Sequence, residues 1–477
     1  MNNVLNHELP FERYFEEICR YPHGSFQEKV LSDHLAEFAV EHHLQYRQDE
    51  WGNIIIYKNG THGLEGRPPL ILQSHIDMVC EKQPGCEHNF ETDPLDIYVE
   101  DGWIRARGTT LGADDGVGVA YMMAVLADDS IRHPPLECLF TVLEEPGCIG
   151  ATHLKAEDFQ GMRLLGLDEV SGDTTTVSAA GMKRIAFRYR GLRKETERPF
   201  YQLTVGGLSG GHSGDDIHKE RGNANKIAAR FLYMLLKKEE GMQLACMDGG
   251  TVDNAIPNAC TVVFVSDRNE NEIYADISAL LEDISRELKY SDGAVTAKVV
   301  RCEPQPAFSA RDSRNIIRFL FTCPNGFRHR DIHMELTTAS SNLGLIKMSD
   351  DGLAVSLHIR GAALSFIDQI ADEAAIIAES LGWEAEATDS LPCWEYRENS
   401  PLRAHLEQAY ERVTGTVMKE HAEHGCLEAG HFIAMKPGMD IATLGPLIKD
   451  YHTFLERVER ASFAKIYDVL TALLENL

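Results

Sequence analysis

The stretch PPLILQSHIDMVCE, Pro68 to Glu81, runs from apolar residues into a histidine, one spacer and an aspartate. Leu70, Ile71 and Leu72 read as a short strand buried on both faces, as inside a parallel sheet. Residues two apart in an extended chain point the same way, so His75 and Asp77 share a side. A carboxylate beside an imidazole fixes its tautomer and raises its basicity, as a metal-bound histidine requires. Alone, the pattern is more often a packing feature at a strand end. The neighbouring segments decide.

On both sides of this stretch, helix-like and strand-like segments alternate. PFERYFEEICRYP and FQEKVLSDHLAEFAVEH read as helices, NIIIYK as a strand, VGVAYMMAVLADD as a helix, and LECLFTVLE and MRLLGLD as strands. This predicts an α/β catalytic domain with a doubly wound, mostly parallel sheet, its ligands at the carboxyl ends of the strands. The character changes after SAAGMKR, where strand, helix, strand, strand, helix, strand recurs about twice. An inserted α+β domain made of two related halves is therefore expected at residues 183–385. It would divide the catalytic domain into residues 1–182 and 386–477.

Composition bounds the rest. A chain of 477 residues is long for one core. Its 46 lysines and arginines face 74 acids, a formal charge of −28, which argues against nucleic-acid or anionic-membrane partners. Eleven cysteines with no C-x-x-C pair fit reduced thiols in the cytoplasm. Neither a signal peptide nor a membrane-length apolar run is visible.

Three further segments end in acids. TTLGADDGVGVAY places Asp114 and Asp115 in a glycine-flanked turn before a helix, CLFTVLEEPG ends in Glu144 and Glu145, and RLLGLDEVSG in Asp168 and Glu169. Singly these are helix caps or solvated loop acids. Together, His75, Asp114, Glu145 and Asp168 would converge at one sheet edge, where like charges raise one another's pKa unless cations balance them. Two divalent ions about 3.5–4 Å apart, sharing a carboxylate, solve this. Histidine and carboxylate ligands in open sites suit Zn²⁺, Co²⁺ or Mn²⁺. Three carboxylates and one hydroxide neutralise two such ions. A second histidine is still needed: His405, His421, His424, His431 and His452 are candidates, and His452 follows the last apolar strand at the same edge.

LQSHIDMV, RARGTTLGADDGVGVA, LEEPGCIGA, LDEVSG, GGHSGDDIHKERGNANK, GGTVDNAIP and GCLEAGHF, in this order, resemble cytosolic aminoacyl-histidine dipeptidases. These are carnosine-cleaving Xaa-His enzymes in the di-zinc aminoacylase and carboxypeptidase superfamily. The resemblance spans nearly the whole chain. It implies His75, Asp114 and Asp168 on one metal and Asp114, Glu145 and His452 on the other. It also implies that Asp77 orients His75 and that Glu144 is the general base for a metal-bridging hydroxide. The insert would be a lid, with His212 stabilising the oxyanion and Asn254 and Arg360 holding the substrate. The expected substrate is a dipeptide such as β-Ala-His. A homodimer is compatible with this reading, although a doubled lid could supply His212 within one chain. Such enzymes often read HSPDE around the last ligand, where this chain has HTFLE, His452 to Glu456; LEAGHF carries Ala429 and His431 where cysteine and an apolar residue are expected. Both departures bear on the substrate more than on the chemistry.

The competing readings are a serine hydrolase built on GLSGG, Gly207 to Gly211, a non-catalytic peptide binder, and the same hydrolysis of a tripeptide or N-acyl amino acid. His42, His43, His62, His329 and His333 read as surface residues. HGCLEAGHF, which could suggest a metal site at His424, Cys426 and His431, reads as a pocket-wall loop.

Overall fold

The computed structural model describes residues 3–332, 336–349 and 351–477; His333 lies outside them. The chain forms two compact units. The first comprises residues 1–178, 396–422 and 427–477, and the second residues 179–395 and 423–426. The four-residue return of 423–426 to the second unit has no counterpart in the sequence reading.

The first unit is built on a six-stranded sheet. In spatial order its strands are Gln45–Gln48, Ile54–Lys58, Leu136–Thr141, Leu70–His75, Arg163–Gly166 and Asp440–Thr443. The last three pairings are parallel and the first two antiparallel. Every residue of Leu70–His75 and Leu136–Thr141 is buried, which explains why both are mostly apolar. Their buried polar residues are hydrogen-bonded: Gln73 donates to Glu428, and Glu137 accepts the amides of Gln160 and Gly161. The helix Ala113–Ala127 is apolar on all sides because it is buried nearly throughout. At its far end the buried Lys58 Nζ donates to the carbonyls of Val125, Leu126 and Asp128, a cation where the helix dipole favours one. Phe11 from the helix Pro10–Ile18 meets Phe463 from the helix Arg460–Leu474 edge-on at 4.9 Å, closing the core on that side.

The second unit is an antiparallel sheet of nine strands with the helices Ala224–Lys238, Glu270–Glu287, Ala310–Thr322 and Leu364–Ser380. In chain order, eight of its strands, from Phe200–Gly206 to Glu384–Leu391, are interspersed with these helices, and the ninth, Gly181–Arg190, pairs between Gly352–Gly361 and Glu384–Leu391. Three helices begin on an asparagine or serine cap (Asn223, Asn269 and Ser309) whose side chain accepts an amide from the first turn. Phe319 packs on Trp383 at 4.3 Å and Phe187 at 4.9 Å in its core. Among the described residues no helix is long and apolar enough to cross a membrane. None of the eleven cysteines is joined in a disulfide.

Candidate dinuclear metal centre

His75 closes the strand Leu70–His75, opposite Thr141 of the parallel neighbour. Just beyond the carboxyl ends of the same strands come Glu144 and Glu145, after Leu136–Thr141, and Asp168, after Arg163–Gly166. Asp114 lies in the turn that opens the helix Ala113–Ala127. Gly112 precedes it with φ +66°, and a Cβ there would lie 2.9 Å from Met78 Sδ, so the turn demands glycine. Gly118 is required for another reason: its Cβ would fall 2.6 Å from an oxygen of Asp115.

Two groups of side chains result, His75 with Asp114 and Asp168, and Asp114 with Glu145 and His452. The ligand atoms within each lie within 4.8 Å of one another. Asp114 turns one oxygen to each group: Oδ1 is 3.1 Å from His75 Nε2 and Oδ2 is 3.2 Å from His452 Nε2. Asp168 Oδ2 lies 3.9 Å from His75 Nε2, and Glu145 Oε2 lies 3.1 Å from His452 Nε2. Of the five candidate tail histidines, His452 alone enters such a group among the described residues.

Asp77 stands behind His75. The closer contact to Nδ1 is its backbone oxygen at 3.0 Å, with Oδ1 at 3.5 Å. Its carboxylate is occupied by the amides of Glu144 and Glu145, at 2.9 and 3.2 Å, and by Ser25 Oγ at 2.8 Å. Asp77 therefore fixes both the imidazole and the backbone of the two glutamates. Glu144 belongs to neither ligand group.

The residues fit a pair of divalent cations. The donor set is two imidazoles and three carboxylates, suited to borderline metals. Glu145 Oε1 is buried with no hydrogen-bond partner among the described residues. Burial and the charge of Asp114 push Asp168 well above the carboxylate range, and burial lifts Glu144 to about 7. Hydrogen bonds to Asp114 and Glu145 raise His452 to about 10. Although burial opposes it, hydrogen bonds to Asp114 and Asp77 raise His75 too. Without cations, protons thus balance the carboxylates, and a metal ion would take their place.

Two further acids support the site. Glu456, the last residue of HTFLE, is buried and accepts the amides of Leu111, Gly112, Ala113 and Asp114 at 2.8–3.2 Å. Glu428 accepts Gln73 Nε2 at 2.7 Å and Thr141 Oγ1 at 2.8 Å beneath the strand ends. The sequence offered a hint of each, since both lie in motifs that depart from the expected pattern, but not their contacts. Asp115 instead turns into the helix, accepting Gly118 N–H at 3.2 Å.

In the second unit, His212 Nδ1 pairs with Asp215 Oδ2 at 3.1 Å, and His212 Nε2 lies 3.5 Å from Arg360 Nη2. Arg360 is buried, with His424 O at 3.4 Å and Cys426 Sγ at 3.7 Å as further contacts and, among the described residues, no hydrogen-bond partner for Nε. Asn254 has an exposed side chain, and its backbone carbonyl accepts Ser213 N–H at 2.8 Å. His424 bonds Ser340 Oγ at 2.8 Å through Nε2, while His431 sits in the helix Glu428–Met435 of the first unit, so these two and Cys426 form no metal group. His43, His62 and His329 are exposed and His42 half-buried. The serine-hydrolase reading fails on geometry: Ser209 Oγ donates to Asp292, and the next α-helix does not start until Ala224.

A parallel α/β edge carrying histidine–carboxylate groups that share one aspartate defines a metal-dependent hydrolase. Comparison with known proteins narrows the class. A family model, peptidase family M20/M25/M40, matches residues 71–476, and the chain belongs to that family. It is 33% identical over 474 residues to the cytosol non-specific dipeptidase of Escherichia coli (strain K12), covering 98% of this chain and 97% of that one. The crystal structure of aminoacylhistidine dipeptidase from Vibrio alginolyticus is similar with a TM-score of 0.91 at 32% identity, covering 98% and 96% of the two chains. Human carnosine dipeptidase 1 shares the fold at 11% identity, with a TM-score of 0.52 and 98% and 96% coverage.

Proposed function

We propose that this chain is a cytoplasmic dipeptidase whose substrates include Xaa-His dipeptides such as β-Ala-His. The single observation that carries the reading is Asp114, shared by two histidine–carboxylate groups, with Glu144 beside them and outside both. The names of the two relatives of about one-third identity support dipeptide hydrolysis, one as non-specific and one as aminoacyl-histidine-directed. The former also supports the compartment.

His75, Asp114 and Asp168 would hold one ion and Asp114, Glu145 and His452 the other, with Zn²⁺ preferred and Co²⁺ or Mn²⁺ as substitutes. Such ions supply Lewis-acid polarisation of the scissile carbonyl and acidify a water molecule. The chain's own residues do the rest. Glu144, shielded enough to hold a proton near neutrality, takes one from the attacking water and delivers it to the leaving amine. Asp77 keeps His75 Nε2 directed outward and pins the Glu144 backbone. His212 donates to the developing oxyanion, a contribution typically worth about 2.7–4 kcal/mol per donor. Arg360, whose guanidinium has only long contacts among the described residues, would offer its fork to the C-terminal carboxylate, with Asn254 assisting in holding the substrate.

The test is hydrolysis of β-Ala-His, Gly-His, Ala-Ala, Ala-Ala-Ala and an N-acetyl amino acid after EDTA stripping and re-addition of Zn²⁺, Co²⁺ or Mn²⁺. Metal-restored cleavage of the dipeptides alone is expected. Restored cleavage of the tripeptide or acetyl compound in preference would overturn the substrate assignment, and silence throughout would overturn the enzymatic one.

A further inference from the structure

Phe26 occupies a turn position that phenylalanine should avoid. Gln27 N–H donates to Gly24 O at 2.8 Å, closing a four-residue turn, and Phe26 is its third residue with φ +71°. That combination marks a type II turn, where glycine or asparagine is ordinarily found because a Cβ is crowded there. Burial does not compensate, since Phe26 is 72% exposed. Leu143, the other large apolar residue with positive φ among those described, is buried. A bulky ring held in a costly conformation, with its face to solvent, breaks a local rule without serving packing, and such departures concentrate at ligand sites.

The turn is fastened to the loops that carry the candidate centre. Met78 N–H donates to His23 O at 3.1 Å and Ser25 N–H to Met78 O at 3.3 Å. Ser25 Oγ donates to the Asp77 carboxylate, and Glu28 accepts Leu143 N–H at 3.2 Å, one residue before Glu144. Phe26 therefore stands on a rigid support beside the catalytic loops of the first unit.

We infer that Phe26 contacts the side chain of the substrate's N-terminal residue and favours apolar residues there. The inference rests on the dipeptidase reading. In a dipeptide the carbonyl to be cleaved belongs to the N-terminal residue, so that residue's side chain would lie beside the loops of the first unit that carry the metal ligands and the Phe26 turn. A phenyl ring presents apolar area without a hydrogen-bonding group, so it selects aliphatic and aromatic side chains over none.

The experiment measures kcat/KM of the zinc-loaded enzyme for Leu-Ala and Gly-Ala, in the wild type and in Phe26→Gly and Phe26→Trp. In F26G the Leu-Ala to Gly-Ala ratio should fall about tenfold, equivalent to about 1.4 kcal/mol. F26W should retain the ratio. The thermal midpoint of F26G should not fall, because glycine relieves the turn, which separates lost recognition from lost structure. An unchanged ratio in an active F26G overturns the assignment of Phe26 alone. An unchanged ratio with a shifted oligomeric state assigns the ring to a protein interface instead, and also overturns it. Failure of the wild type to cleave either dipeptide overturns both this inference and the function it rests on.

Discussion

Glu456→Gln should both destabilise the first unit and loosen the metal site. The Glu456 carboxylate accepts four amides, two on each oxygen, from Leu111 to Asp114. It lies at the head of the helix Ala113–Ala127, where a negative charge is favoured. A carboxamide keeps one acceptor oxygen and turns its NH₂ toward the other two amides. Two hydrogen bonds to a charged acceptor, at about 1.5–3 kcal/mol each, are lost. With partial relaxation of the loop, about 3 kcal/mol is expected. At roughly 2–4 °C per kcal/mol for domains of 150–250 residues, the midpoint should fall by roughly 6–12 °C. Because Asp114 is one of the four donors, bound metal should fall as well. Calorimetric melting of the metal-loaded and EDTA-stripped proteins, together with elemental analysis, reads both effects. A variant that melts within 1 °C of the parent and keeps its metal would refute the claim that Glu456 holds the Asp114 turn.

Two other outcomes follow from the same geometry. Glu144→Gln should lower kcat by about 10²–10⁴ with metal content unchanged, since Glu144 is a proton carrier outside both ligand groups; loss of metal in that variant, by elemental analysis, would make it a ligand instead. In the second unit, burial lowers His358 to about 3 and His424 to about 4, each aided by the charge of Arg360. Below about pH 6.5 the unfolded chain therefore binds protons that the folded one refuses. Stability contributed by these two residues is full above pH 6.5 and lost as pH falls toward 3–4. Denaturant titrations of His358→Gln from pH 7 to 4 should show a shallower acid limb than the wild type, and an equally steep one would contradict this.

Much of the candidate metal site was legible because its signals are local. Leu70–His75, Leu136–Thr141 and Arg163–Gly166 are mostly apolar or carry apolar cores and end near acids, and a parallel sheet brings such ends together. His452 could be singled out among the tail histidines because it alone follows the last sheet strand closely. Contacts made across long separations were not legible. Glu456 caps amides as many as 345 positions earlier, and Glu428 reaches Gln73 across 355. Nothing in their own neighbourhoods announces those partners. The passage of residues 423–426 into the second unit is equally silent, since four residues carry no periodicity. Only family resemblance points to Arg360 from the sequence; that its guanidinium is buried near His358 and His424, whose pKa values burial lowers, is a property of packing.

The account turns on Asp114 serving two cations at once. Isothermal titration of the EDTA-stripped protein with Zn²⁺, followed alongside hydrolysis of a dipeptide, tests this most directly. Two ions per chain are predicted for the wild type, with both affinities weakened in Asp114→Asn. A single ion at full activity, or an Asp114→Asn variant that still binds two ions as tightly as the parent, would contradict it.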